Sequence, residues 1–275
     1  MTSAVIEYYK KHRKLILDNL RLSAGEDNID PVHDMRVSFK RLKILLQFLE
    51  KLSNEKVKAR HEYAHFNAFY KTSGRLRDLH VQKQLLDSYI DDQNRSYSEY
   101  SDYLSDRIQK RNKKYQRALK DFDTGFFKSN FDQLFESVLS DVSDNTIIGI
   151  AGRILDNKSH AIRKFYQQGK DEKRFHEIRR SMKDLQYLNN MLKDELPISN
   201  ALNIDSDRLA ELGQLLGGWH DKLTAEKVLS RFIRKSLEDP DNAEVYFDLL
   251  KQIEKNKNTE YLHLDKILAR EIKLG

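Results

Sequence analysis

The sequence contains no cysteine and only 3 prolines and 10 glycines in 275 residues. Without cysteine there is no disulfide framework and no thiolate metal site. So few helix breakers in so long a chain make long helices the natural solution. No stretch reaches the ~18 consecutive apolar residues of a membrane span. The first residues, Met1 to Lys14, lack the apolar run of a signal peptide. Together these absences predict a soluble, cytoplasmic protein with no membrane partner. Also missing are a Walker loop, a dinucleotide-binding glycine fingerprint, a nucleophile elbow, a kinase signature and the acidic cluster of two-metal phosphoryl transfer. These gaps favour a binding protein over an enzyme, with no cofactor.

What is present is charge on a helical frame. A third of the residues (33%) are charged, 39% are hydrophobic, and the formal net charge is +6. That excess points gently toward an anionic partner. Helical periodicity runs through Val5–Arg21, Pro31–Leu52, Glu55–Leu86, Leu104–Phe122, Ile150–Gln168, Glu172–Lys193, Asp205–Glu238 and Asn242–Lys273. Asp30-Pro31 reads as an N-cap followed by proline at the first helical position. Gly125 and Asp141–Asn145 read as breaks, Asp91–Asp102 as a loop or helix start, and Pro197 and Pro240 as connections.

An internal repeat organises this frame. A shift of 143 residues lays His33 on His176, Arg36 on Arg179, Ser38 on Ser181, Lys40 on Lys183 and Leu42 on Leu185. With no gap, the same shift lays Gly74 on Gly217, Asp78 on Asp221 and Leu86 on Leu229. The expectation is one all-α domain over residues 1–275, built as two pseudo-symmetric antiparallel bundles. The repeat halves cover about 1–140 and about 141–275 and face a common basic groove or pore.

On a helix at 100° per residue, His33, Arg36, Lys40 and Lys43 fall within roughly 80° of one another. Met35, Phe39, Leu42, Leu45, Leu46 and Leu49 take the opposite side. His176, Arg179 and Lys183 form the matching stripe in the second copy. Arginine offers a planar fork to phosphate, lysine a mobile point charge and histidine a directional donor. Residues one turn apart present such donors every ~5 Å, a track for a linear polyanion. If His33 or His176 touches phosphate, binding should strengthen below about pH 6.5.

The second repeated block pairs Ser73–Asp78 with Leu216–Asp221. Glycine at both sites suggests close helix packing, since glycine costs a helix up to about 1 kcal/mol. Arg77 and His220 are placed to reach the groove, and Asp78 and Asp221 read as structural ion-pair partners, with the orienting of a neighbouring Arg or His as the alternative. Arg107–Lys120, with seven basic residues, reads as a solvated amphipathic helix. Lys10, Lys11, Arg13 and Lys14 in the first helix, and Lys158, Arg163 and Lys164 before the second copy, are further candidates for widening the groove. His61-Glu62-Tyr63-Ala64-His65 matches the zinc-protease pattern H-E-x-x-H. No glutamate follows until Glu99, His80 is at the wrong spacing for a third ligand, and the second copy has Ile204 and Arg208 opposite the two histidines, so no metal site is expected.

Val32–Lys43 resembles the first signature of the CHAD family, the conserved histidine α-helical domain, and Phe175–Tyr187 resembles the second. Ser73–Val81 and Leu212–Asp221 resemble its two companion segments. The resemblance implies binding of inorganic polyphosphate through His33, Arg36, Lys40, Arg41, Lys43, Arg77, His176, Arg179, Lys183 and His220. It also implies association with polyphosphate granules and their proteins. Asp184 and Gln186 stand where the second signature usually carries basic residues, so the second half is expected to bind less. The E-x-E-x-K motif of a fused triphosphate tunnel enzyme is missing, which implies a free-standing domain. RNA or single-stranded nucleic acid is the alternative ligand. Such proteins add stacking platforms to a basic groove, and here only Tyr187 interrupts the stripes.

Overall fold

The computed structural model describes residues 1–25, 28–90, 97–169, 171–192, 204, 206–236 and 240–273. Among these residues the chain is all helical. The helices are α1 (Thr2–Leu22), α2 (Ile29–Leu52), α3 (Ala59–Asp87), α4 (Ser98–Lys120), α5 (Thr124–Leu139), α6 (Asp144–Gln168), α7 (Glu172–Leu192), α8 (Ser206–Ser236) and α9 (Pro240–Lys273). The expected connection at Pro197 and the segment 91–96 lie outside the described residues. Pro240 is the first residue of α9, where its missing N–H costs nothing.

Each helix follows from its apolar spacing. Val5, Tyr9, Ile16 and Leu20 are buried along α1, and Val32, Met35, Phe39, Leu42, Leu45, Leu46 and Leu49 along α2. Helix α5 has no counterpart among the expected helices. Its signal is Phe127, Phe131, Phe135 and Leu139, all buried and each four residues from the last. Burying each of these side chains is worth about 1.5–3 kcal/mol. Gly125 therefore lies inside α5 rather than at a break. The break is Asp123, whose carboxylate caps the helix by accepting from the Phe126 N–H at 2.8 Å. Ser143 caps α6 in the same way, accepting from the Thr146 N–H at 3.3 Å.

Two expected boundaries move. Asp30 is not the cap of α2: the N-cap is Asn28, and Asp30 sits in the first turn, where a carboxylate favours the helix dipole. Pro31 is tolerated there because first-turn N–H groups have no intrahelical acceptor. Helix α3 begins at Ala59 rather than Glu55, because Asn54 and Glu55 take left-handed backbone angles, φ 49° and 63°.

The contact order is the same in both stretches of chain. α1 packs on α2, α2 on α3 and α3 on α4, and correspondingly α6 on α7, α7 on α8 and α8 on α9. The stretches meet in two places. At one, α2 touches α6 and α7, and α1 touches α7. At the other, Leu79, Leu86, Tyr100 and Leu104 of α3 and α4 share a core with Leu229, Phe232, Tyr246 and Leu249 of α8 and α9.

Candidate functional site

A cleft of about 360 Å³ opens where α2 and α3 face α6 and α7. Lys40, Lys43, Lys158, Arg179, Arg180 and Lys183 line it, with His176 and the tyrosines Tyr63, Tyr70 and Tyr187. Five of the ten residues expected at the site therefore line one cavity, two from α2 and three from α7. Arg36, Arg41 and His220 adjoin it through Tyr70, Tyr187 and His176, while His33 and Arg77 are not in its lining. Lys158 joins the cleft, and Tyr63 and Tyr70 enter from α3, which the linear sequence does not signal.

The groups that hold these cations are nearly all neutral. Arg36 donates from Nη1 to the Tyr70 carbonyl at 2.6 Å and to Ser73 Oγ at 3.0 Å, and its guanidinium lies 4.3 Å from the Tyr70 ring centre. Lys43 sits 5.0 Å from the centre of the Tyr63 ring, and Arg41 5.6 Å from that of Tyr187. Arg41 also meets Nε2 of buried His12 at 3.4 Å. Burial first, then Arg41, lowers the His12 pKa to about 3, so the ring is neutral and accepts from Arg41. Lys183 donates to Gln186 Oε1 at 3.0 Å. Burial raises the phenol pKa of Tyr63, Tyr70 and Tyr187, so none of the three carries charge near neutral pH. A ring face attracts a cation through its quadrupole without cancelling it. The exceptions are Lys158, which is paired with Asp184, and Arg180, which is paired with Glu177 at 3.2 Å.

The result is crowding of like charge. Burial, then Arg36, Arg179 and Lys183, lower the Lys40 pKa to about 8, against a partial pull upward from Asp78. Burial, then Arg179 and Arg41, lower that of Lys183. Lys40 and Lys43 of one stripe and His176, Arg179 and Lys183 of the other line the same cleft. His176 and His220 have ring centres 5.1 Å apart. Burial and Arg179 lower both, His220 to about 4. His33 is lowered by loss of surrounding water, then by Arg77. Arg41 Nε, Arg77 Nη1, Arg179 Nε and His220 Nδ1 are buried with no protein acceptor.

Asp78 and Asp221 do not form the expected ion pairs among the described residues. Burial raises both carboxyl pKa values, while Arg36, Lys40 and Arg77 pull Asp78 back down and Arg179 and Arg77 do so for Asp221. They act as spaced counter-charges. The glycine reading also changes. A Cβ on Gly74 would lie 2.8 Å from Arg36 Nη1, so the close approach is by a side chain rather than a helix backbone. Gly217 has nothing within 4 Å of that position; in the second stretch it is Gly213 that makes room, with Lys183 Nζ 2.8 Å away. The shift of 143 places Tyr70 opposite Gly213, so one stretch holds its arginine on a ring while the other fills that space with lysine. His61 and His65 are exposed on α3 and Glu62 accepts from Asn130 at 3.1 Å. Among the described residues no group of three or more His, Cys, Asp or Glu is arranged for a metal ion. Nor is any helix of those residues long and apolar enough to cross a membrane.

The sequence model of the CHAD domain matches residues 7–230. The fold is similar to the crystal structure of the CHAD domain from the plant Ricinus communis, with a TM-score of 0.77 and 15% identity, covering 98% of this chain and 91% of that one. Among curated proteins no sequence matches this chain. The match spans both signatures, both companion segments and the helices that carry the cleft, and the chain belongs to the CHAD family.

Proposed function

We propose that this protein binds inorganic polyphosphate in a basic groove centred on the cleft between α2, α3, α6 and α7. The observation that carries this reading is the set of cations held by neutral groups. Arg36, Arg41, Lys43 and Lys183 are positioned by rings, a neutral imidazole, a hydroxyl, a carbonyl and an amide. Cations used for structure are ordinarily given acids. Cations positioned and left charged favour an anion supplied from outside, and a buried donor without an acceptor costs about 1–3 kcal/mol until it finds one.

Each part of the groove has a task. Arg36, Arg179 and Arg41 offer planar forks, Lys40 and Lys183 add point charge from opposite sides, and Asp184 holds Lys158 at one edge. A phosphate beside Lys40 relieves its repulsion and restores its proton. A phosphate beside His33 or His176 does the same for an imidazole, but burial and neighbouring cations move the free-state titration below the ordinary value near 6.5. The binding gain first expected at that pH therefore continues further into acid. The reading is one of binding rather than turnover. The protein would then partition with cytoplasmic polyphosphate granules and their proteins.

Nucleic acid is the less favoured ligand. Tyr63, Tyr70 and Tyr187 are the stacking platforms that the stripes themselves lack, yet a cation already lies against each ring. The deciding experiment is competition between labelled polyphosphate and RNA of matched charge at two salt concentrations. Polyphosphate should win at both, and equal competition would sink the assignment. Replacing Arg36 and Lys40 with Glu, and separately Arg179 and Lys183, should each abolish binding. Unchanged affinity would return these residues to a solvated surface.

A further inference from the structure

Helix α4 carries seven cations from Arg107 to Lys120 and no acid between them. Some exposed lysines elsewhere meet acids about one turn away, among them Lys14 with Asp18, Lys51 and Lys58 with Glu55, and Lys251 with Asp248, while others such as Lys71 and Lys128 stand singly rather than in a run. On α4 such pairing stops at the start of the run, where Lys110 meets Asp106 at 2.6 Å and Arg107 donates to the Tyr103 hydroxyl at 2.5 Å. Lys113, Lys114, Arg117 and Lys120 are exposed, and none is in an ion pair among the described residues. On the helical wheel these four and Lys110 share an arc of about 120°, over a rise of about 15 Å.

This face stands one helix away from the cleft. Helix α3 turns Tyr63, Tyr70 and Gly74 toward the cleft and packs Phe69 on Tyr115 of α4, ring centres 5.6 Å apart. Between those two sides, on the solvent arc of α3, lie exposed Lys71 and Arg75. Packed helices are about 8–10 Å apart, so a chain leaving the cleft over Lys71 and Arg75 reaches α4 after about one helix width.

We propose that the outer face of α4 is a second contact surface for the same polyanion, engaged only by chains long enough to pass over α3. This rests on the polyphosphate reading of the cleft. A ligand held at the cleft presents its tail to α4 at high effective concentration, so affinity rises with chain length beyond what the cleft alone supplies.

The test compares tripolyphosphate with long-chain polyphosphate on the full chain and on a variant with Lys113→Gln, Lys114→Gln, Arg117→Gln and Lys120→Gln. Circular dichroism verifies the fold. A second variant with Lys251, Lys255, Lys266 and Arg270 of α9 changed to Gln loses the same charge elsewhere. The α4 variant should bind long chains at least about tenfold more weakly, with tripolyphosphate unchanged within about twofold, and the slope of log affinity against log salt for long chains should fall by about 3, by analogy with single strands. The α9 variant should keep the length dependence. Equal loss for both ligands, no loss for long chains, or the same loss in the α9 variant overturns the inference and leaves the cleft reading standing. Loss of RNA binding alone assigns α4 to nucleic acid and equally overturns it. A native protein that binds neither polyphosphate overturns the cleft reading itself.

Discussion

Lys40 gives the sharpest handle on the groove. Its pKa is lowered from the ordinary 10.5 to about 8, so it is mostly charged at pH 7 and mostly neutral at pH 9. A polyphosphate oxygen beside it offsets the effects of burial and of repulsion from Arg36, Arg179 and Lys183, and returns the pKa toward 10.5. Linkage then fixes the sign: the complex binds more protons than the free protein above about pH 7, so affinity falls as pH rises. With those two pKa values the fall is about tenfold between pH 7 and pH 9. Binding at pH 8 should take up about half a proton from the buffer through Lys40, and Lys183, lowered for the same reasons, adds to it. Titration calorimetry at constant ionic strength, in two buffers of different ionisation enthalpy, reads both quantities. Lys40→Arg should keep affinity at pH 9 and remove most of the uptake, since guanidinium stays charged throughout. A flat affinity from pH 7 to 9 with no proton uptake would refute the claim that Lys40 meets the ligand.

Three further outcomes follow from the same geometry. Gly74→Ala should displace the Arg36 guanidinium from Tyr70 and Ser73 and weaken polyphosphate binding severalfold, whereas Gly217→Ala, with open space around it, should raise stability by about 0.5–1 kcal/mol in urea titrations and leave binding unchanged. Asp184→Asn removes the carboxylate that lines the cleft and frees Lys158, so affinity should rise by up to about fivefold, the value of a partly exposed ion pair, with the gain shrinking in high salt. Buried His80 and His12, lowered to about 4 and about 3, stay neutral in the fold but take a proton on unfolding below about pH 6.5. Stability is therefore present above that pH and lost as pH falls toward 4, by about 3 kcal/mol for each, and His80→Gln should flatten the melting temperature measured over that interval.

The stripes on α2 and α7 were legible because period and composition coincide there: apolar residues on one side, His, Arg and Lys on the other. The shift of 143 residues predicts that they belong together, and Lys40 and Lys43 line the same cleft as His176, Arg179 and Lys183. The tyrosines were not legible. Tyr63 and Tyr70 belong to a different helix from the cations they touch, and only the packing of α2 on α3 brings them into the cleft. His12 is hidden for the same reason, as a buried residue on an apolar face whose partner lies on α2. Helix α5 was missed, although Phe127, Phe131, Phe135 and Leu139 carry its four-residue spacing, because Gly125 reads as a break and yet lies in the first turn of the helix. The glycine comparison failed at Gly217 because sequence register records identity, while the room a side chain needs is set by what crosses it.

The neutral cradle around Arg36, Arg41, Lys43 and Lys183 also bears on how the protein should be handled. A cluster of cations without built-in acids responds to whatever small anion the solution offers. Sulfate and phosphate should raise the melting temperature of the unliganded protein more than chloride at equal ionic strength, and they will mask part of the affinity for longer chains. Storage buffer is thus a hidden competitor, and apparent binding strength will depend on the anions carried through purification.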